Sequence, residues 1–200
     1  MTDGTDPMRR LVYYVATTLD GFIASPDRTD PSGADFFAMT PDLLEHIVQH
    51  FPETLPAAAR QALGVDGAAV VFDTVVEGRR SYQVGLDAGV ADAYPHLRHV
   101  VFSRSMKTSP DSAVELVDSD PVEFVARLKE EPGMDIWLVG GGALAAALLP
   151  QIDRLVLKLN PSVIGSGVPL FDGPFAPNLF RPVEEVSLAG GVRVVTYDRR

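Results

Sequence analysis

The chain has no cysteine among its 200 residues. That excludes disulfide bonds, thiolate metal sites and a cysteine nucleophile, and it suits a cytoplasmic protein, the location expected here. Basic residues are scarce: 17 Lys and Arg stand against 27 Asp and Glu, a net charge of −10. Nucleic acids and anionic membrane surfaces are held by broad basic faces, so neither is an expected partner. No uninterrupted apolar stretch approaches the roughly 18–20 residues of a membrane span. The opening run MTDGTDPMRR places acids ahead of its arginines and leads into strand-like sequence, the wrong order for a secretion signal. Residues 1–9 are expected to form a flexible N-terminus. What is present is an ordinary globular balance, 46% hydrophobic and 22% charged. The length suits a single domain spanning 1–200, able to bury about 70% of its unfolded surface.

The hydrophobic pattern alternates between strand and helix. Residues 10–17 (RLVYYVAT) read as a first strand, and Thr18 to Asp35, rich in Asp, Gly, Pro and Ser, as a long loop. Thr40-Pro41-Asp42 opens a helix whose apolar stripe is Leu43, Leu44, Ile47 and Val48. A short helix over 56–63 precedes a strand at Thr74–Glu77, and the next helix starts at Gly78 to Tyr82. Strands follow at 98–103 and 114–117, then a capped helix over Ser119–Lys129. Asp135–Val139 reads as a buried strand, followed by three glycines and the helix Ala143–Leu149. Residues 152–160 alternate, and 182–188 with 192–198 form a hairpin around Gly190-Gly191. This order implies an α/β fold: a mainly parallel sheet with helices on both faces and an antiparallel C-terminal hairpin.

Ligands in such folds sit outside the carboxyl ends of the parallel strands, and four of those ends carry unusual residues. Gly140-Gly141-Gly142 lies between strand and helix. Glycine lets backbone approach a phosphate, and free N–H groups at a helix start favour an anion. A tight turn required only by packing would use the same residues. Gly78-Arg79-Arg80-Ser81 combines a glycine, two guanidiniums and a hydroxyl, which suits a phosphate or a solvated helix start. Ser103-Arg104, with Lys107 near, is a further cationic spot in an acidic chain. Arginine is the usual partner of the 2′-phosphate that separates NADPH from NADH. Leu19-Asp20-Gly21 closes the first strand with an acid and a turn residue.

Taken in order, these runs carry a family resemblance. Ala16-Thr17-Thr18-Leu19-Asp20-Gly21-Phe22-Ile23-Ala24 resembles the opening of reductases with the dihydrofolate reductase fold, in the branch of the riboflavin-biosynthesis reductase domain. Glu77 to Tyr82 resembles that family's cofactor motif, Val101 to Arg104 its strand at the adenine end of NADPH, and Trp137 to Gly142 its pyrophosphate loop. Pro161 to Phe171 resembles the branch's late loop. The resemblance implies NADPH as cofactor, contacted by Ala16, Gly21, Ile23, Gly78, Arg79, Arg80, Ser81, Ser103, Arg104, Val139, Gly140, Gly141, Gly142, Ala143 and Leu144. It implies hydride transfer to a pyrimidine- or pteridine-type heterocycle or an imine, most like the reduction of 5-amino-6-(5-phosphoribosylamino)uracil. Dihydrofolate reductase activity and a non-catalytic nucleotide-binding module are the alternatives. Asp20 and Asp42 are the candidate catalytic acids, with Asp35 a rival, since proton delivery wants a carboxyl in a half-buried pocket. Phe36 and Phe37 are the candidate substrate contacts. Where the family has a basic residue after its Asp-Gly, this chain has Phe22, and the tryptophan that follows in the family is missing.

Other chemistries lack their parts. His46 and His50 stand at metal-pair spacing without a third ligand, so no metal is expected. Gly165-Ser166-Gly167 is no nucleophile elbow, and Tyr82 has no lysine four residues on. The strand at 152–160 and the terminal hairpin are expected to leave an exposed sheet edge or face, and a homodimer is expected to cover it.

Overall fold

The computed structural model describes residues 8–27, 36–37 and 39–200. Its central sheet is built from β1 (Leu11–Thr17), β3 (Phe72–Gly78), β4 (Arg98–Phe102), β5 (Glu115–Val117), β6 (Asp135–Gly140), β7 (Ile152–Leu159), β9 (Phe180–Ser187) and β10 (Arg193–Arg199). Their order across the sheet is β5-β4-β3-β6-β1-β7-β10-β9. Pairing is parallel from β5 through β7 and antiparallel where β10 joins β7 and β9. Among the described residues, five α-helices complete the fold: α1 (Pro41–His50), α2 (Ala57–Leu63), α3 (Arg79–Asp87), α4 (Pro121–Glu130) and α5 (Gly142–Ala147).

The alternation within each strand decides which layer its residues enter. In β1, Leu11 and Tyr13 join Val125 and Leu128 of α4 and Ala145 of α5. Val12 and Tyr14 point the other way, toward Leu43 and Ile47 of α1. Both faces are therefore apolar, as a parallel sheet covered on two sides requires. Trp137 belongs to the α1 layer, where its indole N–H donates to the Tyr14 carbonyl at 3.0 Å. The fully buried Glu53 is satisfied by backbone alone: its carboxylate accepts from the N–H groups of Val70, Val71 and Phe72 at 3.2, 2.8 and 2.7 Å. Without those donors a buried carboxylate would carry a desolvation cost of several kcal/mol, on the order of a broken buried pair.

Three features differ from the sequence expectation. The segment read as loop from Thr18 contains a strand, β2 (Phe22–Ala24), which pairs antiparallel with β8 (Val168–Pro169). Two residues of pairing far apart in the chain leave no periodicity to read. Residues 28–35, and with them Asp35, lie outside the described residues, as do residues 1–7. Residues 152–160 are no edge: β7 lies between β1 and β10, and only β9 of the hairpin is open on one side. Helix α4 is capped by Asp120 rather than Ser119, its carboxylate accepting from Val122 N–H at 2.8 Å and Glu123 N–H at 3.2 Å.

Candidate active site

A cleft of about 1130 Å³ opens at the carboxyl ends of β3, β6, β1 and β7. Strand register puts its parts side by side: Glu77 of β3 faces Gly140 of β6, and Ala16 of β1 faces Lys158 of β7. Of the residues expected at the cofactor, Ala16, Ile23, Gly78, Arg79, Arg80, Ser81, Val139, Gly140, Gly141, Gly142, Ala143 and Leu144 line this cleft. Gly21, Ser103 and Arg104 do not. Gly21, with φ +83°, makes the turn before β2, and its carbonyl accepts from Leu170 N–H at 2.8 Å. Ser103 is buried and its hydroxyl accepts from Met106 N–H at 2.8 Å, fixing the turn that carries the exposed Arg104.

The three glycines after β6 serve different ends. Gly140 takes φ +136°, a conformation that side chains rarely adopt. A Cβ on Gly142 would stand 2.1 Å from the Pro169 carbonyl oxygen, so packing alone demands glycine there. A Cβ on Gly141 would meet nothing within 4 Å, because its free side is the cleft. The packing explanation thus holds for two of the three, and the third leaves room for a ligand against its backbone.

Charge around the cleft divides into two groups. Arg79, Arg80 and Arg104 form no hydrogen bond or ion pair with any described residue, unlike Arg9, Arg10, Arg98 and Arg154. They are cations with capacity to spare at adjacent strand ends. Deeper in, His99 lies between two acids, 2.8 Å from Glu77 through Nε2 and 2.8 Å from Asp92 through Nδ1. Burial by itself would lower the imidazole's proton affinity. The two carboxylates outweigh it, and the net shift is upward.

The candidate acids do not reach the cleft lining. Asp20 accepts from the Thr18 hydroxyl at 2.6 Å and from the N–H groups of Ile164 and Gly165 at 3.1 and 2.7 Å. Asp42 accepts from the Thr40 hydroxyl at 2.6 Å, from Leu43 N–H at 3.0 Å and from Gly190 N–H at 2.8 Å. The hydroxyl partner first, then the backbone donors, hold both carboxyls below the usual carboxylate range. Each ties one loop to another. Phe37 is buried and lines the cleft beside Met39, Leu43 and Ile47, while Phe36 stacks on it at 4.3 Å between ring centroids from outside the lining. His46 and His50 pack ring against ring at 4.6 Å, and the described residues contain no group able to hold a metal ion.

Lys158 and the Glu77–His99–Asp92 group escaped the sequence reading. Lys158 sits in an alternating strand, where a lone lysine looks like a solvent-facing position. His99 is one residue of a buried strand, and its partners lie 22 and seven positions away. Only an unpaired His inside an apolar run hinted at a buried network.

A two-sided parallel sheet with a glycine loop and an arginine loop sharing one cleft at its carboxyl edge has the dihydrofolate reductase fold. Dihydrofolate reductase from Enterococcus faecalis, complexed with NADP(H) and RAB-propyl, superposes with a TM-score of 0.65 at 16% identity, over 96% of both chains. A putative riboflavin biosynthesis protein from Shewanella sp. PV-4 gives 0.66 at 21% identity, over 96% of this chain and 99% of that one. The diaminohydroxyphosphoribosylaminopyrimidine deaminase/5-amino-6-(5-phosphoribosylamino)uracil reductase of Thermotoga maritima gives 0.64 at 15%, with the chain spanning 57% of that longer protein. In sequence, the uncharacterized proteins YwjB and YyaP of Bacillus subtilis (strain 168) are each 28% identical over 82% of this chain, covering 83% and 80% of their own lengths. The RibD C-terminal domain profile matches residues 9–192, and the chain belongs to that family.

Proposed function

We propose that this protein is an NADPH-dependent reductase that transfers hydride to a pyrimidine- or pteridine-type heterocycle or an imine, most similar to 5-amino-6-(5-phosphoribosylamino)uracil reductase. The observation that carries the reading is the meeting of Gly78–Ser81 and Gly140–Gly142 at one cleft, with open space over Gly141 and unpartnered guanidiniums beside it. The residues present fit such a cofactor. Gly141 and the first turn of α3 offer backbone donors for its pyrophosphate, and Arg79 and Arg104 offer charge for a 2′-phosphate. When bound, NADPH supplies the hydride. The chain's own contribution is to hold the acceptor against it, with Ala16 and Ile23 on one side and Phe37, Leu43 and Ile47 as an apolar wall that excludes water.

The relatives support this reading in kind: one structural neighbour is described with NADP(H), another as a uracil reductase. The test is thermal unfolding with NADPH and with NADH, each near 100 times its Kd. Saturation at that level stabilises by about 2.7 kcal/mol, a shift of roughly 5–10 °C for this size. A larger shift with NADPH supports the reading, and no shift with either cofactor overturns it. The placement of Asp20 and Asp42 as loop ties favours a second reading, a cofactor-binding module without turnover. It predicts the same thermal shift with no protein-dependent NADPH oxidation on any heterocycle or imine. A cytoplasmic homodimer belongs to the first reading, with the exposed strand β9 as the surface available to a second copy.

A further inference from the structure

The lysine at the end of β7 has no partner of opposite charge among the described residues. Lys158 lines the cleft, yet its ammonium forms no hydrogen bond or ion pair with any described residue. The face of the Tyr14 ring lies beneath it, 3.9 Å from Nζ to the ring centroid. The other basic side chains of the interior are matched: Arg9 by Asp73, Lys129 by Asp153. Of the three acids that line the cleft, Glu77 and Asp92 hold His99, and Asp172 forms no ion pair with Lys158. Although half-open to the cleft, Lys158 is surrounded by protein on the scale over which a charge is solvated. Burial pushes its pKa down to about 7, and no carboxylate offsets that effect. An uncompensated cation is costly to keep in such a place. An anion arriving through the cleft would remove that cost.

Position says which ligand could bring the anion. Along the carboxyl edge the sequence of strands is β3, β6, β1, β7. The glycine and arginine loops occupy the first two, and Ala16 on β1 is the direct neighbour of Lys158 on β7. Neighbouring strands lie about 4.8 Å apart, so Lys158 stands one strand beyond the residues assigned to the cofactor. The cleft beside it is walled by Leu43 and Ile47 of α1, with His46 of the same helix near Lys158.

We propose that Lys158 is the specificity-determining residue of the substrate half, pairing with an anionic group on a planar heterocycle, so that the site takes anionic pyrimidine- or pteridine-type ligands over protonated, cationic ones. This rests on the reductase reading for the assignment of the two halves of the cleft. It turns on a charge that the described residues leave unmatched.

The experiment measures binding by calorimetry of two pyrimidines to the full chain: orotate, which carries a carboxylate, and 2,4-diaminopyrimidine, which is readily protonated. Each is run with and without NADPH, and NADPH binding is measured separately. Orotate is expected to bind at least tenfold more tightly than the diaminopyrimidine. K158M is expected to lose at least tenfold in orotate affinity, keep the wild-type affinity for NADPH and unfold at no lower temperature. K158R, with its permanent charge, is expected to retain orotate. Wild-type affinity for orotate is expected to fall about tenfold between pH 6 and pH 8, as an amine titrating near 7 loses its proton. Tyr14 on β1, His46 and His50 on α1 and Glu184 on β9 lie around this spot, Glu77, Asp92, His99 and Asp172 line the same cleft, and all persist in K158M. The pH dependence that K158M lacks is therefore the lysine's own. Equal or tighter binding of the diaminopyrimidine, unchanged orotate affinity in K158M, or no orotate binding at millimolar concentration would each overturn the proposal. Loss of NADPH binding in K158M would overturn it too, by moving the lysine to the cofactor. Failure of NADPH to bind wild type, with orotate still dependent on Lys158, would count against the reductase reading alone.

Discussion

Removing the imidazole of His99 should be far more damaging than removing an ordinary strand residue. The side chains of His99, Glu77 and Asp92 are 1%, 6% and 5% exposed, and each carboxylate has the imidazole as a partner at 2.8 Å. In His99→Leu both acids remain buried with the cation gone. Breaking a buried pair by deleting one partner costs roughly 3–5 kcal/mol, because the surviving charge is uncompensated. For a domain of this size each kcal/mol moves Tm by about 2–4 °C, so H99L should unfold roughly 6–20 °C below wild type at pH 6. The sign with pH follows from the raised pKa. The stability contributed by the imidazolium is fully present below the ordinary value of about 6.5, and it is lost as pH rises through the higher folded value. Lys158 acts in the opposite sense: its pKa is depressed from 10.5 to about 7, so folding releases its proton and stability grows with pH across that window. A plot of Tm against pH would mix the two. The assay is therefore differential scanning fluorimetry of H99L at pH 6 together with NMR titration of the His99 ring in wild type. A Tm within 2 °C of wild type, or a ring midpoint at or below 6.5, would refute the reasoning.

Three further substitutions test the loops at and beside the cleft. Arg79→Ala and Arg104→Ala should each weaken NADPH by about tenfold while affecting NADH less, since a charge-assisted hydrogen bond is worth roughly 1.5–3 kcal/mol; equal weakening of both cofactors in a fluorescence titration would remove the 2′-phosphate assignment. Gly142→Ala should lower Tm by several degrees in a melting experiment. Its Cβ would fall 2.1 Å from a backbone oxygen of Pro169, and the roughly 1–3 kcal/mol of overpacking should exceed the ~1 kcal/mol that alanine offers in a helix. A wild-type melting temperature would show that the β8 segment yields freely.

The period-2 and period-3.6 patterns of the sequence were enough to find the strands and helices of the main layers, though not the short β2 and β8, because they record which side of each element meets the core. Pro41 at a helix start and the hairpin at Gly190-Gly191 marked boundaries that the structure keeps. The glycine and arginine runs were legible for the same reason: their chemistry is local, and a loop's residues are adjacent in the chain. Recognition of the family rested on those runs. The rest depended on residues that only folding brings together. Asp20 looked like an acid at a strand end until Ile164 and Gly165 came to its carboxylate from the far side of the chain. Asp42 looked like a helix-start acid until Gly190 did the same. Beside the local hydroxyls of Thr18 and Thr40, the donors that tie each acid to another loop lie more than 140 positions away, where no local pattern points. The reverse happened at Lys158, an alternating-strand lysine that tertiary packing left alone in a cleft. Local sequence determined most of the elements and the glycine and arginine loops. Tertiary structure decided which charges are matched, because matching is a property of distance in space and not of spacing along the chain.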